Sequence, residues 1–335
     1  MPETAGILAE VAALLSRARR VLITSHTSPD GDAIGSALGA AELVRQWGGE
    51  ATIINRDPTP GNLAFLPGAN DIQVRDSLGS DLGSRYDLAL VLECPDLDRT
   101  GFDGLTDLTI LNIDHHVENA CYGRLNLIDE QAAAVSELLL AVADAGRAAL
   151  TATMATCFYA ALVTDTGDFR YSNTTSRALQ AAARLVAAGA QPHVIAEALW
   201  YQVPERQVRL TAAVLGTLRR YRGGRVAVIH CDRAMLDAAG AFPEDTENLL
   251  NPIRAMAGVE VAVFLKKFSD DVRVSLRSRG RVDVQAVASA LHGGGHRNAA
   301  GCTIVSTSLT DAEETVLEAL KRGLAGTSRP RRGLS

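Results

Sequence analysis

The first residues whose types and spacing could do chemistry follow an apolar run near the start of the chain. Asp30 and Asp32 are two residues apart, so in an extended segment both carboxylates point the same way. His26 lies just upstream, and a helix is predicted to begin near Asp32 or Ala33. Asp32 could cap this helix, whose N-terminus would favour an anion such as phosphate. The segment is therefore either a metal and phosphate site or a surface turn before a capped helix.

Three further groups of acids and histidines directly follow apolar segments. These groups are Glu93, the run Asp114-His115-His116, and Asp165. Taken singly, each is also typical of a solvated turn or a helix end. Taken together with the first group, they offer carboxylates and imidazoles without thiolates, a donor set that suits Mn²⁺, Mg²⁺ or Fe²⁺ better than structural zinc.

The number of carboxylates predicts the number of metal ions. Four acidic groups within a few ångströms would repel one another strongly. These four are Asp30, Asp32, Glu93 and Asp165. Two divalent cations would balance their charge, so the sequence predicts a dinuclear site.

The elements that must bring these groups together alternate between strand and helix patterns. We predict strands at 21–25, 51–55, 88–92 and 108–113. We predict helices at 3–20, 33–48, 132–145, 152–164 and 176–188. This alternation predicts βαβ units and a mainly parallel sheet flanked by helices. In open α/β sheets ligands bind at the carboxyl ends of strands, where most of the candidate residues lie.

The pattern changes after a helical stretch that contains the extended-looking run Gln202-Val203-Pro204. Beyond it we predict a second, smaller α/β unit, with strands at 225–230, 259–267 and 272–276 and helices at 284–291 and 311–324. The expected organisation is a catalytic domain at 1–190, a helical connection at 191–220, a second domain at 221–325 and a disordered tail at 326–335.

Positive charge is concentrated in part of the second unit. From 258 to 300 there are seven Lys and Arg against four acids, which gives +3 in a chain whose net charge is -6. The acidic whole argues against coating of long nucleic acid, but a local basic patch could hold a short one. The same stretch contains Arg277-Ser278 and the run Gly293-Gly294-Gly295-His296. Three successive glycines suit either a plain turn or, as we favour, a backbone cradle for an anion.

Cysteine spacing and hydropathy limit the cellular location. The five cysteines are far apart and form no C-x-x-C pair, so neither a disulfide framework nor a zinc–thiolate site is expected. The N-terminal segment has its charges at the end of an apolar helix, unlike a signal peptide, and no apolar run is long enough for a membrane span. We expect a cytoplasmic protein without membrane contact.

In this order, the segments resemble the motifs of the DHH phosphoesterase family. The motifs are H-x-x-x-D-G-D-A-x-G-S, an acid after the next strands, N-I-D-H-H and T-D-T-G-x-F-R-Y. The second half resembles the DHHA1 substrate domain through S-L-R-S and G-G-G-H-R-N-A-A-G. The resemblance runs from about residue 20 to 305. The chain length is most similar to the branch of nanoRNases and pAp phosphatases, in which the two domains lie across a cleft.

The resemblance implies two metal sites that share one bridging acid. The first would be held by His26, Asp30 and Glu93. The second would be held by Asp32, Glu93, His115 and Asp165. The family usually has Asp where this chain has Glu93. The longer side chain could bridge the ions from slightly further back, or it could alter metal spacing, preference or rate; Asp96, beyond Pro95, is the weaker candidate.

The remaining implied roles concern catalysis and substrate binding. Asp114 would orient His115, as partners of metal-bound imidazoles commonly do. His116 would contact the scissile phosphate or donate a proton to it. The residues that would bind the terminal phosphate or nucleotide are Arg277, Ser278, Gly293, Gly294, Gly295 and His296.

The implied activity is hydrolysis of di- to pentaribonucleotides to 5′-mononucleotides and of pAp to AMP. The implied cofactors are two divalent metal ions, for which Mn²⁺ is the first candidate and Mg²⁺ and Fe²⁺ are alternatives. The second domain would close over the substrate, and a homodimer is compatible with the sequence. The alternatives are a cyclic- or linear-dinucleotide phosphodiesterase, a RecJ-like single-strand exonuclease, or a non-catalytic nucleotide-binding regulator in which Glu93 marks a decayed site.

Overall fold

The computed structural model describes residues 2–247, 249–305 and 308–325, with the backbone alone at 2–5 and 322–325. The chain forms two compact units, and the division falls between Gln202 and Val203. We call these unit 1 and unit 2. The predicted connection at 191–220 is thus shared between the two units, and the domain limits stay a prediction. The predicted tail at 326–335 lies outside the described residues.

Unit 1 contains a sheet and its surrounding helices. Its strands are β1 (Arg20–Thr24), β2 (Glu50–Asn55), β3 (Gln73–Val74), β4 (Leu88–Leu92), β5 (Thr109–Asp114) and β6 (Leu125–Ile128). Its helices are α1 (Pro2–Arg17), α2 (Gly31–Gln46), α3 (Leu82–Arg85), α4 (Val135–Ala145), α5 (Ala152–Asp165), α6 (Ser176–Ala187) and α7 (Pro192–Trp200). The short β3, β6 and α3 were not predicted, because they offer too few residues for a hydrophobic period to show.

All five strand pairings in this sheet are parallel, and the strand order is β3-β2-β1-β4-β5-β6. The prediction of a parallel sheet is therefore confirmed. The order reverses direction between β1 and β4. In doubly wound sheets such a reversal opens a crevice at the carboxyl ends of the two strands, and ligands bind there.

The central strands are apolar because helices or loops cover both faces of the sheet. In β1, Val21 and Ile23 pack into the cluster formed by α1, α2, α4 and α5, while Leu22 joins a second cluster. That second cluster includes Phe102 and Leu105 from the loops beyond β4. A parallel strand buried on both faces reads as a continuous apolar run, which explains why β4 was predicted with its actual bounds.

Close packing of α2 against α5 places the first and last turns of these helices together. A Cβ atom at Gly35 would lie 2.5 Å from the carbonyl oxygen of Cys157, and one at Gly39 would collide with the ring of Phe158. Only glycine allows this approach. The N-terminus of α2 therefore lies beside the C-terminal end of α5, which carries Asp165.

Unit 2 is built on a second, mainly antiparallel sheet. Its strands are β7 (Arg219–Tyr221), β8 (Val226–Asp232), β9 (Val261–Lys267), β10 (Asp271–Ser278), β11 (Gly294–His296) and β12 (Ala299–Val305). Its helices are α8 (Glu205–Gly216), α9 (Arg233–Ala239), α10 (Leu250–Ala255), α11 (Val284–Ser289) and α12 (Leu309–Ala325). The strand order is β11-β12-β10-β9-β8-β7. Among the described strand pairs of this second sheet, only β8–β9 is parallel.

The two faces of this sheet differ in how far helices cover them. One face packs against α11 and α12 over most strands. The other packs against α8, α9 and α10 mainly over β8 and β9, and α10 also approaches β10. On that second face β10 and β12 carry the exposed side chains of Arg273, Thr303 and Val305. Within the part of the chain that the structure describes, no helix is both long and apolar enough to cross a membrane.

Candidate metal centre

The candidate residues lie at the crevice between β1 and β4 and beside it. His26 comes two residues after the end of β1, and Glu93 directly follows β4. His115 directly follows β5, the next strand along the sheet. Asp32 is in the first turn of α2, and Asp165 is the last residue of α5. Strand order and glycine-mediated helix packing thus bring together residues that are far apart in sequence.

One group of possible ligands forms around Glu93 and His26. The Nε2 atom of His26 lies 2.6 Å from Oε2 of Glu93, and the Nδ1 atom faces the carbonyl oxygen of Thr27 at 2.8 Å. One ligand atom from each of His26, Asp30 and Glu93 lies within 4.8 Å of the others. Both His26 and Glu93 are buried, whereas Asp30 is exposed. Solvent therefore reaches this group from the side of Asp30.

A second group surrounds the Nε2 atom of His115. Three carboxylate oxygens lie close to it: Oε1 of Glu93 at 3.9 Å, Oδ2 of Asp165 at 3.9 Å and Oδ2 of Asp32 at 4.0 Å. These distances are too long for hydrogen bonds. Two atoms that bind one ion at about 2.1 Å each can, however, be up to about 4.2 Å apart. The spacing therefore fits ligands arranged around a shared cation.

The charge of the cluster also fits a cation. Burial raises the pKa of Asp165 to about 6, and burial together with Glu93 raises the pKa of Asp32 well above its usual value. Burial would lower the pKa of His26, but the Glu93 carboxylate outweighs it and raises that pKa to about 9. Excess negative charge thus holds protons that a divalent cation would displace.

Glu93 has an uncommon backbone conformation. Its φ of 52° lies in the left-handed region, which Asn and Asp adopt several-fold more readily than Glu. The amide nitrogen of Glu93 still donates to the carbonyl oxygen of Ile113 at 3.1 Å, so the strained residue is tied to β5. Residues held in such conformations cluster at functional sites, because the surrounding structure must impose them.

Asp114 orients His116 rather than His115, which differs from the prediction. Its Oδ1 atom lies 2.8 Å from Nδ1 of His116, and its Oδ2 atom accepts a hydrogen bond from Asn119 at 2.7 Å. Burial opposes ionisation of Asp114, but these two bonds lower its pKa. The ring of His115 instead faces the carbonyl oxygen of Ala132 at 3.0 Å. In extended backbone, residues two apart point the same way, which pairs 114 with 116.

The N-terminus of α4 positions the other buried ligand. The amide of Val135 donates to Oδ2 of Asp32 at 2.6 Å, and Ser36 donates its hydroxyl to Oδ1 of Asp32 at 2.7 Å. The sequence had suggested that Asp32 caps its own helix, but its side chain is bound elsewhere. Asp30 caps α2, because the helix begins at Gly31 and the Asp30 side chain accepts from the amides of Asp32 and Ala33.

Three supporting residues were missed in the sequence. Asn119 supports Asp114, and Asn173 donates to Oδ2 of Asp165 at 3.3 Å. Glu137 is buried and accepts a hydrogen bond from the amide of Ala133 at 3.0 Å, next to the carbonyl that orients His115. It also pairs with Arg177 of α6. None of these three residues is part of a recognisable sequence motif, because each acts through a contact that forms only in the folded chain.

The predicted substrate residues lie in unit 2 and are only partly on one face. Arg277 of β10 is opposite Ala299 of β12, which is opposite His296 of β11, so these side chains share a face. Ser278 is buried, faces the other way and donates to Oδ1 of Asn298 at 3.1 Å. The side chains of Ser278 and Arg277 therefore do not lie on the same face of the sheet.

The three glycines before His296 lie next to β12. Gly294 and Gly295 are part of β11, and Gly293 immediately precedes it. A Cβ atom at Gly295 would lie 2.6 Å from the carbonyl oxygen of Ala299, and one at Gly293 would lie 2.5 Å from Cβ of Cys302. Close approach to β12 therefore suffices to explain glycine at 293 and 295.

Two family models match this chain. The N-terminal domain of the DHH family matches residues 20–162, and the DHHA1 domain matches residues 224–325. The chain is 36% identical to the bifunctional oligoribonuclease and PAP phosphatase NrnA of Thermus thermophilus, over 91% of this chain and 90% of that protein. It is 26% identical to NrnA of Bacillus subtilis, over 90% and 94% of the two chains.

A solved structure has the same fold. The crystal structure of an exopolyphosphatase-related protein from Bacteroides fragilis superposes with a TM-score of 0.85. The alignment covers 97% of this chain and 98% of that one, at 23% identity. The resemblance predicted from the motifs is confirmed, and the chain belongs to the DHH family of phosphoesterases, with a DHH domain followed by a DHHA1 domain.

Proposed function

We propose that this phosphoesterase hydrolyses di- to pentaribonucleotides to 5′-mononucleotides and pAp to AMP. One observation carries the reaction class: the Nε2 atom of His115 lies within 4.0 Å of oxygens from Asp32, Glu93 and Asp165. The two substrate classes are supported by relatives that align over nine-tenths of this chain and are named oligoribonuclease and PAP phosphatase.

We assign two divalent cations to the cluster, and Mn²⁺ is the candidate that we favour. His26, Asp30 and Glu93 would hold one ion. Asp32, Glu93, His115 and Asp165 would hold the other. When bound, such ions lower the pKa of water and neutralise phosphate oxygens in an in-line displacement. The buried hydrogen bonds to Asp32 and His115 fix these ligands before any substrate arrives.

His116 is the group that we assign to the reacting phosphate. Its Nε2 atom lies 3.9 Å from Oε1 of Glu93, and its side chain is 36% exposed, so it borders the cluster and is reachable from solvent. Asp114 fixes the ring through Nδ1, which leaves Nε2 to donate a hydrogen bond or a proton to a phosphate oxygen. Asn119 holds Asp114 in place from the other side.

Unit 2 supplies recognition of the terminal nucleotide in this proposal. Arg277 and His296 share one face of its sheet and would contact the terminal phosphate. A cytoplasmic location and a homodimer stay predictions.

The test is a panel of substrates with Mn²⁺: di- to pentaribonucleotides, a long RNA, single-stranded DNA, pAp and a cyclic dinucleotide. Rapid loss of the short RNAs and of pAp, with the long RNA nearly untouched, is the expected result. Preference for DNA or for the cyclic dinucleotide would overturn the substrate assignment while leaving the metal centre intact. No turnover of any substrate by protein that binds Mn²⁺ would favour a regulator without catalysis.

A further inference from the structure

Two cations lie directly opposite each other on the face of the unit 2 sheet that α8, α9 and α10 cover in part. The antiparallel register places Lys266 of β9 opposite Arg273 of β10. Their neighbours along the two strands, Leu265 and Val274, point into the core that packs on α11 and α12. Since side chains alternate along a strand, Lys266 and Arg273 must point to the other face, the one shared with Arg277.

This arrangement is unfavourable without a ligand. Like charges directly opposite on paired strands destabilise a sheet. Burial lowers the pKa of Lys266, and Arg273 lowers it further, while Glu247 acts in the opposite direction without reversing the shift. Among the described residues, no carboxylate lies within ion-pairing distance of either cation. The ammonium group of Lys266 lies 5.6 Å from the ring of Phe264, which does not neutralise its charge.

The cation pair lies further along the sheet than the terminal-nucleotide residue Arg277. Arg273 and Arg277 are four residues apart on one strand, which corresponds to roughly 13 Å. The row between them has Ser275 on β10, with Gly301 of β12 on one side and the buried Phe264 of β9 on the other. An extended backbone could therefore lie over β10 and β12 from Arg277 to Arg273 without meeting a large side chain between them.

We propose that Lys266 and Arg273 form a second phosphate position that binds the backbone of an oligoribonucleotide beyond its terminal nucleotide. The inference rests on the proposed function and adds the determinant of substrate length. Lysine and arginine suit this task because phosphate contacts position a nucleic acid without reading its sequence. Substrates of one nucleotide, such as pAp, would be too short to reach from Arg277 to this pair.

The test compares Lys266→Ala and Arg273→Ala with the matched control Lys267→Ala. Lys267 is the next residue of β9, points to the opposite face and donates to the carbonyl oxygen of Ser269 at 2.8 Å. For each protein, kcat/KM is measured for pentaadenylate and for pAp with Mn²⁺. The ratio of the two should fall about tenfold in Lys266→Ala and Arg273→Ala, through KM. It should not change in Lys267→Ala.

A second readout separates phosphate binding from damage to the fold. The affinity for pentaadenylate is measured in chelator, where turnover does not interfere, at several salt concentrations. Loss of one phosphate contact should make the slope of log affinity against log salt shallower by about 0.7. Lys266→Gln, which keeps most of the side-chain stem, should give the same change if Lys266→Ala folds poorly.

The proposal is overturned if the Lys266 and Lys267 variants behave alike, or if the salt slope is unchanged in both the Lys266 and Arg273 variants. It is also overturned if pAp and pentaadenylate lose kcat/KM by the same factor. A wild-type protein that binds pentaadenylate with the expected salt slope but hydrolyses neither compound would contradict the proposed function and leave the second phosphate position supported.

Discussion

The Nε2 atom of His26 and the Oε2 atom of Glu93 are 2.6 Å apart, so two candidate ligands of one ion are in hydrogen-bond contact. A cation that binds both atoms must replace this contact. The ends of β1 and β4 hold the two residues at the point where the strand order reverses. The contact is therefore a direct consequence of the topology of unit 1.

Protons and divalent cations should compete at this centre. Burial alone would lower the pKa of His26 and of His115, but the surrounding carboxylates, Glu93 foremost, raise these pKa values to about 9 and about 10. A metal binds only the neutral imidazole, so binding must release protons. We expect Mn²⁺ affinity to rise steadily with pH from neutrality up to about pH 9, where His26 loses its proton. Calorimetry in buffers of different ionisation enthalpy measures the protons released; a heat that is independent of the buffer would contradict this.

Glu93 should be needed for its charge more than for its length. Glu93→Gln removes one of four negative charges, and we expect Mn²⁺ affinity to fall by more than about tenfold. Glu93→Asp keeps the charge and places in the left-handed region a residue that tolerates it better, so it should bind Mn²⁺ and fold at least as stably. Electron paramagnetic resonance of free Mn²⁺ gives both affinities. Glu118→Gln, at an exposed loop position, is the control and should bind like the wild type.

Asp114 should affect turnover without affecting metal binding. In Asp114→Asn the ring of His116 loses its ionised acceptor, so kcat should fall by about a hundredfold or more. Asn119→Ala removes a support of Asp114 and should cost about tenfold. Steady-state kinetics with pAp, alongside Mn²⁺ titration, separates the two effects. A loss of Mn²⁺ affinity that parallels the loss of kcat in Asp114→Asn would show that His116 is a ligand instead.

Two ion pairs between α4 and α6 offer a matched comparison. Glu137–Arg177 includes a buried carboxylate that also holds the amide of Ala133, whereas Asp144–Arg184, one heptad further along both helices, is exposed. Glu137→Ala should loosen the segment that orients His115 and Asp32 and weaken Mn²⁺ binding about tenfold or more. Asp144→Ala should leave Mn²⁺ binding unchanged and cost less than about 1 kcal/mol of stability. Equal effects of the two changes on Mn²⁺ affinity would refute a positioning role for Glu137.

The close approach of α2 and α5 should be intolerant of a single methyl group. In Gly35→Ala the new Cβ would lie 2.5 Å from the carbonyl oxygen of Cys157, which should cost about 1–3 kcal/mol. Gly83→Ala is the control, because a Cβ there meets nothing within 4 Å and alanine favours the helix. Urea unfolding followed by circular dichroism measures both. A Gly35 variant as stable as the wild type would mean that α2 and α5 can separate without loss.

The sequence pointed to the candidate ligands because their signal is local, and their role in metal binding stays a prediction. Each candidate ligand follows an apolar strand or lies at a helix end, and the strand order then gathers them. Partners were less predictable. The pairing of Asp114 with His116 depends on the extended backbone beyond β5, and Glu137 meets Arg177 across 40 residues of chain.

Some errors follow from element boundaries. The strand predicted at 272–276 extends to Ser278, so Arg277 and Ser278 lie within β10 and point to opposite faces of the sheet. The same extension places Arg273 and Arg277 on one face. The N-cap of α2 was misplaced by two residues for a similar reason, because Gly31 gave no sign that the helix begins there.

We propose that the cluster around His115 and Glu93 is a metal centre that hydrolyses phosphoesters. Its most direct test is the rate of pentaadenylate hydrolysis by protein stripped with chelator and then titrated with Mn²⁺, with Asp30→Ala in parallel. We predict no turnover after stripping, full recovery as two Mn²⁺ bind per chain, and no recovery in Asp30→Ala. Wild-type turnover that survives stripping, or a near wild-type rate in Asp30→Ala, would show that hydrolysis does not depend on this metal centre.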